Sequence, residues 1–222
     1  MTDIFDEQAA SYDDWYDTGI GRAVFGEELA ALQPLLATLP HPYLEVGVGT
    51  GRFAAAIGAE YGIDPSAASL AFAARRQVRV AVARGEALPF AAESFGAILV
   101  ITTLCFVADP LAVLTEARRV VRPEGGIVLG IVPADGPWGT YYQVLARQGH
   151  AYYQHAHFFG RAELATLLET AGFRSVRTRS ALFWAPRGEP PTAGTALEGD
   201  GARAGFLALL AAPDGRGVPV AL

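Results

Sequence analysis

The sequence predicts an α/β fold in which a doubly wound, mostly parallel sheet closes with an antiparallel strand. Three observations lead there. From Pro42 onward, short β-rich runs alternate with helix-like stretches, the pattern of a parallel sheet covered by helices on both faces. Near the C-terminus, two strand-like runs are joined by a Pro/Gly-rich loop without a helix, and such a connection favours antiparallel pairing. The 222 residues, 51% hydrophobic and 18% charged, can bury a full core as one domain over 1–222, which excludes disordered and fibrous classes.

The elements follow in order. A lead, 1–40, is expected to be helical from Ile4 to about Ala37 and to pack on the body. Its apolar residues Ala23, Phe25, Leu29, Leu32, Leu35 and Leu36 recur at helical spacing after an acidic, aromatic opening, Tyr12-Asp13-Asp14-Trp15-Tyr16. Strands are expected at Tyr43–Val46, Ala59–Ile63, Val78–Val82, Ala97–Thr102 and Gly126–Val132. Helices are expected at Arg52–Gly58, Ser66–Arg76 and Leu111–Val121. The segment 133–160, rich in Trp, Tyr and His, is too long for an ordinary connection and reads as a helical lid insertion. A helix from Arg161 to Ala171, stopped by Gly172, then leads to a strand at Arg174–Phe183, a loop at Pro186–Gly201 and a last strand at Ala204–Ala211. The tail, 213–222, is expected to be loosely held.

Composition narrows the chemistry. The single cysteine, Cys105, excludes an internal disulfide and a thiolate zinc cage. The longest apolar stretch, from Phe95 to Ala108, is broken by Thr102 and Thr103 and falls short of the ~20 residues of a membrane span. The acidic start, Met1 to Glu7, lacks the pattern of a signal peptide. A soluble, cytoplasmic protein with no membrane partner is the expectation. Net charge is −6, and the 17 basic residues are not gathered in sequence, so no nucleic-acid partner is expected. All 17 are Arg, and neither Lys nor Asn occurs, which rules out a lysine Schiff base and a Walker lysine. Oligomeric state is not legible.

The most informative stretch is Tyr43-Leu44-Glu45-Val46-Gly47-Val48-Gly49-Thr50-Gly51-Arg52-Phe53, an apolar strand entering three glycines and then a helix. Without a Cβ, glycine lets a ligand lie directly on the backbone in the crevice beyond the strand end. The spacing is Gly-x-Gly-x-Gly, and Arg52 stands where a dinucleotide turn expects its third glycine. A carboxylate so close, Glu45, favours a cation over phosphate. Asp64, 17 residues after Gly47 at the tip of the next strand, can take both hydroxyls of an unphosphorylated ribose. A nucleoside-like ligand without pyrophosphate fits this pair.

These motifs, with Glu86-Ala87-Leu88-Pro89-Phe90 and the strand from Phe95 to Val107, resemble the successive motifs of class I S-adenosylmethionine-dependent methyltransferases that act on small molecules. The likeness runs from Tyr43 to Phe173, and Tyr12-Asp13-x-Trp15-Tyr16 in the lead is similar too. The resemblance implies a Rossmann-like, seven-stranded sheet with an antiparallel last strand, S-adenosyl-L-methionine as cofactor, and in-line transfer of its methyl to a small-molecule acceptor. It implies that Gly47, Gly49 and Gly51 receive the methionine part, with Glu45 near its charged end. Asp64 and Pro65 would hold the ribose, Gly85, Glu86 and Ala87 the adenine, and Thr102 and Thr103 would lie beside the methyl donor. Two residues depart from the family pattern: Arg84 stands where an acid often reads the adenine amino group, and Gly96 replaces the aspartate that commonly follows Phe95.

Methyl transfer from a sulfonium needs alignment and exclusion of water more than a catalytic triad. The acceptor side is expected from the lead and the insertion, whose rings (Tyr12, Trp15 and Tyr16; Trp138, Tyr141, Tyr142, Tyr152, Tyr153, Phe158 and Phe159) either pack a lid or line a slot. His155, His157 and Tyr16 are the catalytic candidates, with His150 the remaining imidazole of the region, and no metal is expected. Arg118, Arg119 and Arg122, and likewise Arg75, Arg76 and Arg79, read as solvated helix ends, and Cys105 as a buried thiol. The rivals are a nicotinamide-dependent reductase, which Arg52 opposes, and a module that binds the cofactor without turnover.

Overall fold

The computed structural model describes residues 2–192 and 194–215. In chain order its elements are α1 (Thr2–Glu7), α2 (Ala9–Trp15), α3 (Gly19–Leu36), β1 (Tyr43–Val46), α4 (Arg52–Ile57), β2 (Tyr61–Asp64), α5 (Ala67–Arg75) and β3 (Arg79–Val82). There follow β4 (Phe95–Ile101), α6 (Pro110–Val120), β5 (Val121–Ile131), α7 (Pro137–Arg147), α8 (Arg161–Thr170), β6 (Phe173–Ala181), β7 (Leu197–Glu198) and β8 (Phe206–Pro213). Two 3₁₀ turns, Leu104–Phe106 and Tyr153–His155, lie between them.

One sheet runs in the order β3-β2-β1-β4-β5-β8-β6-β7. The five strands from β3 to β5 pair in parallel; β8 enters between β5 and β6 and is antiparallel to both. This is the expected Rossmann-like sheet with its antiparallel strand, plus an eighth strand. The addition, β7, is two residues inside the loop read at Pro186–Gly201. Glu198 pairs there with Arg177 and Arg179 on β6, and the Ser180 hydroxyl donates to the Gly199 carbonyl at 2.7 Å. A two-residue pairing has no periodicity to read.

Alternation of side chains builds the two cores. Along β4, Ala97, Leu99 and Ile101 face a cluster with Leu32 and Leu35 of α3, Phe53 of α4 and Leu70 of α5. Phe95, Ile98 and Val100 face the opposite cluster, with Val113 and Leu114 of α6 and Leu164 and Leu168 of α8. All seven residues of β4 and all eight of β8 are buried, the signature of strands covered on both faces. Helix starts carry their caps: Thr18, Ser66 and Asp109 accept from the backbone N–H groups of Gly21, Ser69 and Ala112 at 3.0–3.1 Å.

Differences from the sequence reading have local causes. The lead is three helices rather than one, because the Thr18 cap starts a new helix and Gly21 lets it approach the Trp15 carbonyl, where a side chain would collide. Strand β5 begins at Val121, straight after α6, instead of Gly126; an irregular register lets Val121 pair with Phe95. The insertion 133–160 is helical as expected, with α7 started by Pro137 in the first helical turn. Of the tail, Pro213 ends β8 and Asp214 N–H donates to the Gly172 carbonyl at 2.9 Å, so its start is held; 216–222 lie outside the described residues. Among the described residues no helix is long and apolar enough to cross a membrane.

Candidate functional site

The strands β1, β2, β4 and β5 end at one edge of the sheet, and a cavity of about 500 Å³ opens there beneath the lead and the insertion. Its floor is the glycine loop. Gly47 and Val48 N–H groups both donate to the Ile63 carbonyl (2.8 and 2.9 Å), and Gly51 N–H to the Val48 carbonyl (2.8 Å), which fixes a tight turn from β1 into α4. Gly47, Gly49 and Gly51 all have positive φ, yet they serve different ends. A Cβ on Gly47 would collide with the Thr103 side chain. One on Gly51 would lie 2.7 Å from Ala73 of α5. One on Gly49 would meet nothing within 4 Å and so would enter open space. Gly49 is therefore the bare backbone on which a ligand can rest, while Gly51 does not line the cavity and permits α4 and α5 to pack closely, a correction to its expected role.

Two carboxylates flank this loop. Glu45, 2% exposed, has an Oε2 with no hydrogen-bond partner among the described residues. Burial pushes its carboxyl well above the usual range, and the charge of Asp64 adds to the shift. Asp64 accepts from Gly49 N–H at 2.9 Å through Oδ2 and from Ser66 N–H at 2.8 Å through Oδ1. Burial still raises its carboxyl, because those bonds offset only part of the desolvation.

A residue that sequence reasoning used only against a dinucleotide, Arg52, ties the loop to the lead. Its guanidinium donates twice to Asp13 (2.9 and 3.0 Å) and twice to Asp17 (3.0 and 2.7 Å). Arg76 adds a bond to Asp13 at 2.9 Å and another to the Thr50 carbonyl, so it is a clasp and not a solvated helix end. Burial opposes ionisation of Asp13, but the two arginines win and hold it down to about 2. Farther along the lead, Asp6 accepts from the Ser66 hydroxyl (2.6 Å) and Ala68 N–H (3.1 Å), docking α1 on the start of α5. Arg119 and Arg122 are likewise bound, to Glu116 and the Leu88 and Phe90 carbonyls, and to the His41 and Ser94 carbonyls.

The remaining expected residues divide. Pro65, Gly85, Glu86, Thr102 and Thr103 line the cavity, whereas Ala87 is exposed outside it. Glu86 also accepts from Ala108 N–H at 3.0 Å, joining its loop to the one before α6. Thr102 takes a φ of +49°, uncommon for a β-branched residue, at the tip of β4. Thr103 donates to the Ile101 carbonyl at 2.9 Å and packs on Gly47. Gly96 has a structural reason to replace an aspartate: a side chain there would run into the Pro40 carbonyl.

Above the loop the wall is aromatic. Tyr12, Tyr16, Tyr142, Tyr152, Tyr153 and Phe158 line it, together with His150 and Cys105. Trp138 does not; it is buried against Gly205 and donates to the Trp184 carbonyl at 2.8 Å. Tyr141 is also outside, bonded to Arg187. Neither His155 nor His157 lines the cavity. His155 is exposed, and His157, with a side chain 65% exposed, pairs with Glu163 at 2.7 Å on the outer surface. His150 is the imidazole that the fold brings in, stacked on Tyr153 at 4.4 Å. Tyr16 is inside, its hydroxyl 2.9 Å from that of Tyr12, and burial drives its ionisation well above the usual range, so it stays protonated. The Cys105 thiol, half-buried, is pushed up by burial to about 12. Glu28 of α3 also lines the cavity; a charged residue four positions from Val24 on an apolar helix face was its only sequence signal.

The cavity fits an adenosine-bearing sulfonium amino acid in three respects: open space over Gly49, an orphaned carboxylate oxygen at Glu45 for an ammonium, and a carboxylate at Asp64 for hydroxyls. Comparison with known proteins agrees. Residues 44–129 match the family model described as a methyltransferase domain. The uncharacterized protein Rv2003c of Mycobacterium tuberculosis is 45% identical over 203 residues, 91% of this chain and 71% of that protein. The uncharacterized protein MJ1123 of Methanocaldococcus jannaschii is 33% identical over 81% of this chain and 85% of its own length. A crystal structure from Thermotoga maritima, described as a SAM-dependent methyltransferase, possible histamine N-methyltransferase, superposes with a TM-score of 0.85 at 32% identity, covering 94% of this chain and 97% of that one. The chain belongs to the class I S-adenosylmethionine-dependent methyltransferases, and it uses S-adenosyl-L-methionine as its methyl donor.

Proposed function

We propose that this methyltransferase acts on a small organic acceptor held among the aromatic side chains above the glycine loop. The observation that carries the reading is enclosure: lead and insertion both line a cavity of about 500 Å³, the scale of a small-ligand pocket and not of a polymer groove. Net charge of −6 and the intramolecular pairing of Arg52, Arg76, Arg119 and Arg161 oppose a nucleic-acid acceptor. The description of the Thermotoga protein as a possible histamine methyltransferase also points to a small acceptor. A cytoplasmic site of action accords with a single free cysteine.

In this reading Glu45 faces the ammonium of the cofactor, Gly47 and Gly49 its backbone-contacting amino-acid part, Asp64 and Pro65 the ribose, and Gly85 and Glu86 the adenine. Bound S-adenosylmethionine supplies a methyl group already activated on a cationic sulfur. Thr102 and Thr103 at the tip of β4 shape the space between cofactor and acceptor, and the tyrosines exclude water from it. His155 and His157 take no part. The test is incubation with methyl-labelled cofactor and separate pools of phenols, amines, thiols, RNA and protein. Label is expected in a small-molecule pool; label only in RNA or protein contradicts the reading.

A further inference from the structure

Glu27 and Glu28 are adjacent buried carboxylates on α3, and their surroundings differ. Glu27 is committed to the fold: it accepts from Leu182 N–H at 3.0 Å and from the Trp184 indole N–H at 2.9 Å. Glu28 is 4% exposed and lines the cavity, and its carboxylate meets no hydrogen-bond partner among the described residues. An isolated buried carboxylate is far costlier than the leucine that helix packing alone would select at this position. It lines the same chamber as Tyr12, Tyr16, Tyr142 and Tyr153, the aromatic part of the wall. Glu45, at the cofactor's expected ammonium site, lines the same cavity. Of the two arginines that line the cavity, Arg52 is bound to Asp13 and Asp17, and Arg84 lies exposed beside Gly85.

We infer that the methyl acceptor is a protonated amine on an aromatic or apolar body, and that Glu28 is the group that grips its nitrogen. This rests on the reading that the acceptor is small and occupies this chamber. A carboxylate supplies the missing charge, and ring faces of tyrosine attract a cation while stacking on an apolar body. An ammonium has no lone pair, so it must lose a proton before it can accept a methyl group. Glu28 can take that proton: the N–H bond breaks, the O–H bond forms, and the electron pair stays on nitrogen. Burial and the neighbouring Glu27 raise the Glu28 carboxyl to about 8, which brings it close enough to an ammonium for the exchange.

The test is calorimetric titration of the intact chain saturated with S-adenosylhomocysteine. Benzylamine, 2-phenylethylamine and tryptamine serve as probes, each against its matched alcohol. At least one amine is expected to bind about tenfold or more tightly than its alcohol, as a charge-assisted pair requires. Glu28→Gln should erase that preference while leaving S-adenosylhomocysteine affinity and thermal stability undiminished. Equal affinity for amine and alcohol, a preference that survives in Glu28→Gln, or no binding of any amine to the saturated protein overturns the inference alone. Failure of S-adenosylhomocysteine to bind overturns the cofactor site as well, so the two failures are distinguishable.

Discussion

Gly49 and Gly51 sit two residues apart with φ of +52° and +81°, and the space around each decides what a side chain would do there. Gly49→Ala carries the strain of left-handed backbone, about 1–2 kcal/mol, and puts a methyl into the open space proposed for the cofactor. Its expected result is lost S-adenosylhomocysteine binding with a small drop in Tm. Gly51→Ala adds a clash with Ala73, so Tm should fall further while residual binding in the folded fraction persists; equal effects of the two on binding would merge roles that the structure separates. Asp64→Ala removes an acceptor that could bond ribose hydroxyls and frees Gly49 N–H, and should weaken the cofactor by about 1.5–3 kcal/mol, roughly ten- to a hundredfold in Kd. Unchanged affinity would remove Asp64 from the site. The sequence revealed the glycines as a set but not their division of labour, because that depends on Thr103 and Ala73, which lie 56 and 22 residues away from their partners. For the same reason it singled out His155 and His157, which lie outside the cavity, over His150, which lines it: the difference is where the end of the insertion turns.

At the scale of elements, the lead is held by charge more than by its own helix strength, since α1 and α2 are six and seven residues long and too short to be stable alone. Asp13→Ala should leave Arg52 and Arg76 without their shared partner, costing about 2–3 kcal/mol. Hydrogen exchange is expected to quicken over residues 4–18, and S-adenosylhomocysteine to bind more weakly because Arg52 opens the helix that follows the glycine loop; unchanged exchange would show the clasp to be idle. The Asp13 carboxyl lies below its unfolded value, so its contribution is fully present above about pH 4 and is lost as pH falls toward 2. Strand and helix alternation from β1 to β5 was legible because buried parallel strands are apolar throughout and helices carry caps. The split of the lead and the two-residue β7 were not, since both are set by contacts across the fold.

For the molecule as a whole, the aromatic chamber is bought at the expense of stability: Glu28 and Glu45 are buried carboxylates whose ionisation the surroundings oppose. A carboxyl raised on folding makes the folded state bind more protons than the unfolded, so stability falls as pH rises, for Glu28 between about 4.5 and 8. Glu28→Gln should therefore raise Tm at pH 8 and leave it nearly unchanged at pH 4.5, with a gain on the order of 1–3 kcal/mol at the higher pH. A lower Tm at pH 8 would mean that Glu28 has a stabilising partner. The sheet order, with β8 entering between β5 and β6, accords with the resemblance carried by the glycine loop and Asp64, and it sets the crevice where that loop and the tip of β4 meet. The most direct test of the account is a crystal structure with S-adenosylhomocysteine. It should show the ligand's ammonium near Glu45, its backbone over Gly49, its ribose hydroxyls on Asp64 and its adenine by Gly85 and Glu86, with the sulfur facing the tyrosine chamber. Density for the ligand elsewhere, or a sulfur turned away from Tyr12, Tyr16 and Glu28, would contradict it.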